Sequence, residues 1–262
     1  ENFREEVVPP FCVLAYGDLE VDPFEVMNNR GSPNAWNLPD ETRMTLHGDP
    51  EGARRLTDEL IRRGFDIAYS YQKRTGVPFP HSIANTQLFL DYEHAGTEFP
   101  YPIIPITVNC YGQHAIARRG GLARFAEIAQ ERLDPVGPTP GRCFALGRAV
   151  AQAFTETDLR VALVASSSWS HAFLTDKTWH ITPDTTADRR LYDLLVDADY
   201  DAWQSTPTRD VVDSGQHEML NWFCLTGAAD ELGLELAWSE LVTTDVFNSN
   251  KCFAVFEEGR QQ

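Results

Sequence analysis

The order of apolar runs and amphipathic stretches along the chain predicts strands that alternate with helices. Four short apolar runs have the length and composition of buried strands: residues 11–15, 103–108, 159–164 and 252–256. Four other stretches carry apolar side chains at helical spacing: residues 51–63, 142–155, 187–198 and 217–225, the last extending as far as 232. A polar loop is expected over 22–40. This order predicts an α/β fold, a single domain over residues 1–262 with a central mixed, largely parallel sheet flanked by helices.

His171 is the first candidate for chemistry because of its place after a predicted strand. The apolar run at 159–164 is followed by small residues, and the histidine comes at the end of this stretch. In open α/β sheets, ligands bind in the crevice at the carboxyl ends of the strands. The sequence therefore predicts a histidine at the reactive edge of the sheet. A single histidine is otherwise more often a surface or core residue.

His81 is a second candidate because two prolines lie within the three residues before it. Pro78 and Pro80 restrict the backbone that leads into it, which suits a side chain that must be held in one place. The alternative is a structural histidine in a loop.

Glu218 stands in an apolar setting that favours a strong partner for its carboxylate. Ser214 is a candidate helix N-cap, which would place Glu218 in the first turns, where the helix dipole favours a negative charge. The neighbouring side chains, such as Met219 and Trp222, are mostly apolar, and a carboxylate among them needs a partner such as a metal ion.

Charge and cysteine usage limit the classes of partner. The 262 residues carry a net charge of −17, which disfavours nucleic acid and anionic membranes as partners. The chain has no apolar run long enough for a transmembrane helix, and no signal peptide opens it. Five scattered cysteines without a CxxC pair predict reduced, buried thiols and a cytoplasmic location: Cys12, Cys110, Cys143, Cys224 and Cys252.

Two histidines and one glutamate fit two kinds of chemistry. One is a hydrolase, although the GxSxG nucleophile elbow is absent from the sequence. The other is a non-haem iron site, in which two histidines and one carboxylate hold the metal and leave positions open for substrate and oxygen.

Four segments together resemble the class III extradiol ring-cleavage dioxygenases, whose prototype is the catalytic subunit of protocatechuate 4,5-dioxygenase. They are residues 85–92 (NTQLFLDY), 100–112 (PYPIIPITVNCYG), 166–171 (SSSWSH) and 217–222 (HEMLNW). The resemblance implies an Fe(II) site held by two histidines and a glutamate, with Glu218 as the matching glutamate. It also implies that His171 is the acid/base residue and that His81 is a second active-site histidine that donates a proton.

The resemblance implies cleavage of the ring of a catechol-type substrate by O2, in a homo- or hetero-oligomer. The family's two histidine ligands lie upstream, one near the amino terminus and one in the following segment, yet no histidine precedes His47 in this sequence. We expect an N-terminal segment upstream of Glu1 to supply them. The alternative is a non-catalytic subunit of the same fold that binds no iron and supports a hetero-oligomeric dioxygenase. A hydrolase that uses zinc is a third reading.

Overall fold

A computed structural model of the chain describes residues 9–21, 43–73, 79–90, 98–110 and 135–259. These residues group into two compact units, Glu1–Thr107 and Val108–Gln262. The loop expected at 22–40 lies outside the described residues.

The described residues of the first unit form two helices and six short strands, of which the last ends one residue beyond the unit. The helices are α1 (Pro50–Arg62) and α2 (His81–Leu90). The strands are β1 (Phe11–Leu14), β2 (Leu19–Val21), β3 (Met44–Gly48), β4 (Ala68–Ser70), β5 (Glu98–Ile103) and β6 (Ile106–Val108). They form two three-stranded sheets, in the orders β4-β1-β6 and β2-β3-β5. The pairs β1–β4 and β3–β5 are parallel, and β2–β3 is antiparallel.

Local sequence signals explain the best-predicted helix of this unit. Asp49 caps α1 by accepting a hydrogen bond from the Gly52 N–H at 2.8 Å, and Pro50 follows at the first helical position. Leu56 and Leu60 are buried on one face of the helix, as their spacing predicts. The predicted helix at 51–63 is therefore confirmed.

The apolar run at 103–108 is divided between two strands. β5 ends at Ile103 and β6 begins at Ile106, with Pro105 between them. Proline has no N–H for a strand ladder, which explains the interruption. Its carbonyl still accepts a hydrogen bond from the Leu14 N–H of β1 at 2.9 Å.

The second unit has five α-helices, two short 3-10 helices and one hairpin among its described residues. The α-helices are α3 (Pro140–Thr155), α4 (Thr185–Val196), α5 (Tyr200–Gln204), α6 (Thr208–Asp213) and α7 (Leu220–Leu232). The 3-10 helices are Ala172–Leu174 and His217–Met219. The strands β7 (Leu234–Val242) and β8 (Lys251–Glu258) pair in antiparallel fashion. The helices predicted at 142–155, 187–198 and 217–232 and the strand at 252–256 are confirmed, whereas β7 was not predicted.

The predicted strand at 159–164 is wrong. The structure assigns these residues neither helix nor strand. The side chains of Leu159, Val161, Leu163 and Val164 are 40–54% exposed. A strand needs a hydrogen-bonded neighbour, and the two strands described in this unit pair with each other. The apolar composition of the run did not indicate whether such a neighbour is present.

The α/β class is confirmed by this mixture of helices with small parallel and antiparallel sheets. A central, largely parallel sheet is not confirmed by the described strands and stays a prediction, as does a single domain over 1–262. None of the described helices combines the length and the apolar character needed to cross a membrane.

Glycines allow α3 and α7 to pack backbone against backbone. A Cβ atom at Gly147 would lie 1.8 Å from the Cys224 carbonyl oxygen, and one at Gly227 would lie 2.0 Å from the Phe144 carbonyl oxygen. Any larger residue at either position must push the two helices apart. Close packing of this pair thus depends on two residues without side chains.

Replacing Gly227 by alanine is expected to lower the free energy of unfolding of the second unit by about 1–3 kcal/mol, the usual cost of overpacking. Urea denaturation followed by circular dichroism measures the change. Gly141→Ala in α3 is the matched control, since its Cβ would meet only the Gln204 carbonyl oxygen, at 3.3 Å. Equal stability of the two variants would contradict the packing argument.

Candidate active site

His171 lies in a short extended segment that is held from both sides. Its N–H donates to the Gly215 carbonyl at 3.0 Å, and the residue forms an isolated antiparallel bridge with Ser249. Phe173 packs edge-on against the imidazole, with ring centroids 5.2 Å apart. The histidine is buried, and its main chain is fixed by partners that are distant in sequence.

The tryptophan two residues before His171 anchors the same segment in the core. The Trp169 side chain is fully buried, and its ring lies 5.4 Å from that of Trp222 and 6.5 Å from that of Trp203. The main-chain N–H of Trp169 donates to the Asn250 carbonyl at 3.1 Å. Trp169 therefore serves as a packing residue, which leaves the imidazole of His171 at a defined position.

Glu218 enters the site on a 3-10 turn, not in the first turn of a Ser214-capped helix. Ser214 is the C-cap of α6, so the predicted N-cap is wrong. Gly215 then adopts a left-handed backbone with φ +67°, where a Cβ would lie 2.6 Å from the His171 carbonyl oxygen. The chain reverses at this glycine and presents Glu218 in the turn His217–Met219.

The structure brings the side chains of Glu218 and His171 together. Glu218 Oε1 lies 3.9 Å from His171 Nε2, and its other oxygen, Oε2, accepts the Ser168 N–H at 3.1 Å. The Glu218 side chain is 20% exposed. Burial lowers the pKa of the His171 imidazole below its ordinary value, and the charge of Glu218 opposes that shift. The pair thus places an imidazole of lowered pKa beside a partly exposed carboxylate.

Lys251, the first residue of β8, adds a positive charge that the sequence analysis missed. Its Nζ donates to Ser168 Oγ at 3.0 Å and to the Ser249 carbonyl at 3.3 Å, and it also contacts Ser249 Oγ. Burial lowers the pKa of the ammonium, while Glu218 raises it. Ser168 thus contacts both the carboxylate and the lysine. Only the main-chain pairing of 169–172 with 248–250 reveals this, because nothing in the local sequence marks Lys251.

His81 is the first residue of α2 in the first unit. The carbonyl of the preceding Pro80 accepts hydrogen bonds from the Ile83 and Ala84 N–H groups at 3.1 and 3.2 Å. The His81 side chain is outside what the structure describes, so its catalytic role stays a prediction.

The described residues match part of a non-haem iron site. Glu218 offers a carboxylate, one of the ligand types that such iron sites use, and the imidazole of His171 lies beside it. Among the residues that the structure describes, no group of three or more His, Cys, Asp or Glu side chains is arranged to hold a metal ion. Glu218 by itself does not complete a donor set.

Residues 128–255 match the family described as the catalytic LigB subunit of aromatic ring-opening dioxygenase. This range includes His171, Glu218 and Lys251, whereas His81 lies upstream of it. The resemblance to the class III extradiol dioxygenases found from the sequence is thereby confirmed over this segment. A search of curated proteins finds no match to the chain. Members of this family generally depend on non-haem iron.

Proposed function

We propose that this protein is a non-haem Fe(II)-dependent extradiol dioxygenase that cleaves the ring of a catechol-type substrate with O2. The observation that carries the proposal is the 3.9 Å approach of Glu218 Oε1 to His171 Nε2 inside the segment that matches the family. At this distance the carboxylate would be placed to hold a metal ion, and the imidazole would be placed to exchange protons with a substrate beside it.

Glu218 is the proposed metal ligand in this site. The Ser168 N–H holds its Oε2 and so fixes the direction of the carboxylate, in the way that neighbouring groups orient metal ligands elsewhere. Fe(II) bound there would supply a common binding point for the two substrate hydroxyls and O2. The family resemblance implies two histidines as the remaining ligands.

His171 is the proposed acid/base residue. Its Nε2 faces the carboxylate that would bind the metal, so this atom is placed to accept a proton from a hydroxyl of the substrate. Burial keeps the imidazole neutral near neutral pH by lowering its pKa, which is the form that a base requires. His81 is the proposed donor of a proton during ring opening.

Lys251 is the proposed positive charge that offsets the negative charges of the site. Its ammonium contacts Ser168, which also contacts Glu218, so a positive charge lies beside the carboxylate and the site of the substrate diolate. Such a cation favours the deprotonated form of a bound diol.

The iron content of the natural full-length protein tests the proposal. We expect close to one Fe(II) per chain, measured by plasma emission spectroscopy after anaerobic purification, and ring-opened product from simple catechols by absorbance and mass spectrometry. A protein without iron or ring cleavage would instead support the non-catalytic subunit, and stoichiometric zinc would support the hydrolase.

A further inference from the structure

The carboxylate of Asp188 in α4 is fully buried and is not used in the chemistry proposed above. It accepts four hydrogen bonds. Oδ1 accepts from the Ser170 N–H at 3.2 Å and from Gln216 Nε2 at 2.7 Å, and Oδ2 accepts from Ser170 Oγ at 2.5 Å and from Asn250 Nδ2 at 2.7 Å. A buried carboxylate with this many donors marks a site where several segments are joined.

The donors lie next to the residues of the candidate active site. Ser170 precedes His171, Gln216 is two residues before Glu218, and Asn250 precedes Lys251. One carboxylate therefore joins the three chain segments on which the candidate site depends. Main-chain bonds reinforce two of the junctions, from Asn250 N–H to the Ser170 carbonyl at 3.2 Å and from His171 N–H to the Gly215 carbonyl at 3.0 Å.

The start of α4 does not require Asp188. Asp184 caps this helix by accepting a hydrogen bond from the Ala187 N–H at 3.0 Å. Burial raises the pKa of the Asp188 carboxyl, and the hydrogen bonds from Ser170, Gln216 and Asn250 oppose the shift. The bonds of this side chain thus go to other segments and not to its own helix.

We propose that Asp188 is a positioning residue that sets the placement of His171, Glu218 and Lys251 relative to one another. It is hydrogen-bonded to Ser170, Gln216 and Asn250, through which it holds the three segments. This inference deepens the proposed function. The expected loss of turnover rests on that function, whereas the expected change in the position of His171 does not.

Asp188→Asn is the sharpest test because the amide cannot satisfy every donor in either orientation. If the NH2 group of the asparagine takes the position of Oδ1, it faces the main-chain N–H of Ser170, which can only donate a hydrogen bond. If the NH2 group takes the position of Oδ2, it faces the NH2 group of Asn250. The Asn250 amide cannot turn over to accept, because its oxygen already accepts the Thr244 N–H at 2.9 Å. At least one junction must open, although the side chain keeps its size.

Two measurements on the natural full-length protein read out the effect. In the iron-free protein, we expect Asp188→Asn to shift the imidazole ¹⁵N resonances of His171, assigned by comparison with His171→Gln. In the iron-loaded protein, we expect kcat to fall roughly 10- to 100-fold with little change in KM, the size of effect that misplacement of catalytic groups produces. Asp193→Asn is the control, since it makes the same change at an exposed position of the same helix.

An unshifted His171 signal in Asp188→Asn would overturn the proposal, as would a loss of activity that only follows the loss of folded protein. If Asp188→Asn does not fold, Ser170→Ala removes one donor and should move the His171 signal in the same way, and an unmoved signal there would equally overturn the proposal. A shifted signal in a protein without ring cleavage would uphold the positioning role and count against the proposed function alone.

Discussion

Replacing His171 by alanine is expected to lower ring-cleavage turnover by roughly 10²- to 10⁴-fold while iron stays bound, the range that loss of a general acid/base residue produces. The physical reason is the position of Nε2, which faces the Glu218 carboxylate at 3.9 Å in a buried setting. Without the imidazole, the base at that position is lost. Proton transfer would then depend on water.

Steady-state oxygen consumption with a catechol substrate, together with the iron content of each preparation, measures this effect. His180→Ala is the matched control, because His180 pairs with the exposed Asp176, at 2.8 Å. The control should retain wild-type turnover. Normal turnover of His171→Ala with every catechol tested would show that the acid/base assignment is wrong.

Replacing Glu218 by glutamine is expected to weaken Fe(II) binding by more than roughly 100-fold. The loss of a group that only orients a metal ligand already lowers metal affinity about 10- to 100-fold, and Glu218 is proposed as a ligand itself. Glutamine keeps the size of the side chain, and its amide oxygen can still accept the Ser168 N–H. It removes the negative charge that a divalent cation requires. The variant should therefore fold normally and lose the metal.

Iron titration under anaerobic conditions measures the dissociation constant of each variant, and circular dichroism confirms the fold. Glu240→Gln in β7 is the control, because Glu240 is exposed on the hairpin. Wild-type iron affinity in Glu218→Gln would remove Glu218 from the ligand set and with it the central assignment of the proposed function.

Helices with strong local signals were predicted well from the sequence. Asp49 and Pro50 begin α1, and Thr139 and Pro140 begin α3, where the Thr139 side chain accepts the Arg142 N–H at 3.2 Å. Capping and periodic burial are properties of neighbouring residues, so they can be read without a tertiary structure. The run at 159–164 shows the limit of this approach, because a strand also needs a partner that composition does not name.

Patterns in the sequence were enough to find the resemblance to the family and to single out His171 and Glu218, which the structure brings together. The folded chain was needed to show that the Ser168 N–H orients Glu218, that Lys251 lies beside them, and that Asp188 joins the three segments. The reason is separation along the chain. Asp188 and Asn250 are 62 residues apart, and Lys251 and Ser168 are 83 apart. Such contacts arise from the packing of distant segments, and no local periodicity or capping pattern encodes them.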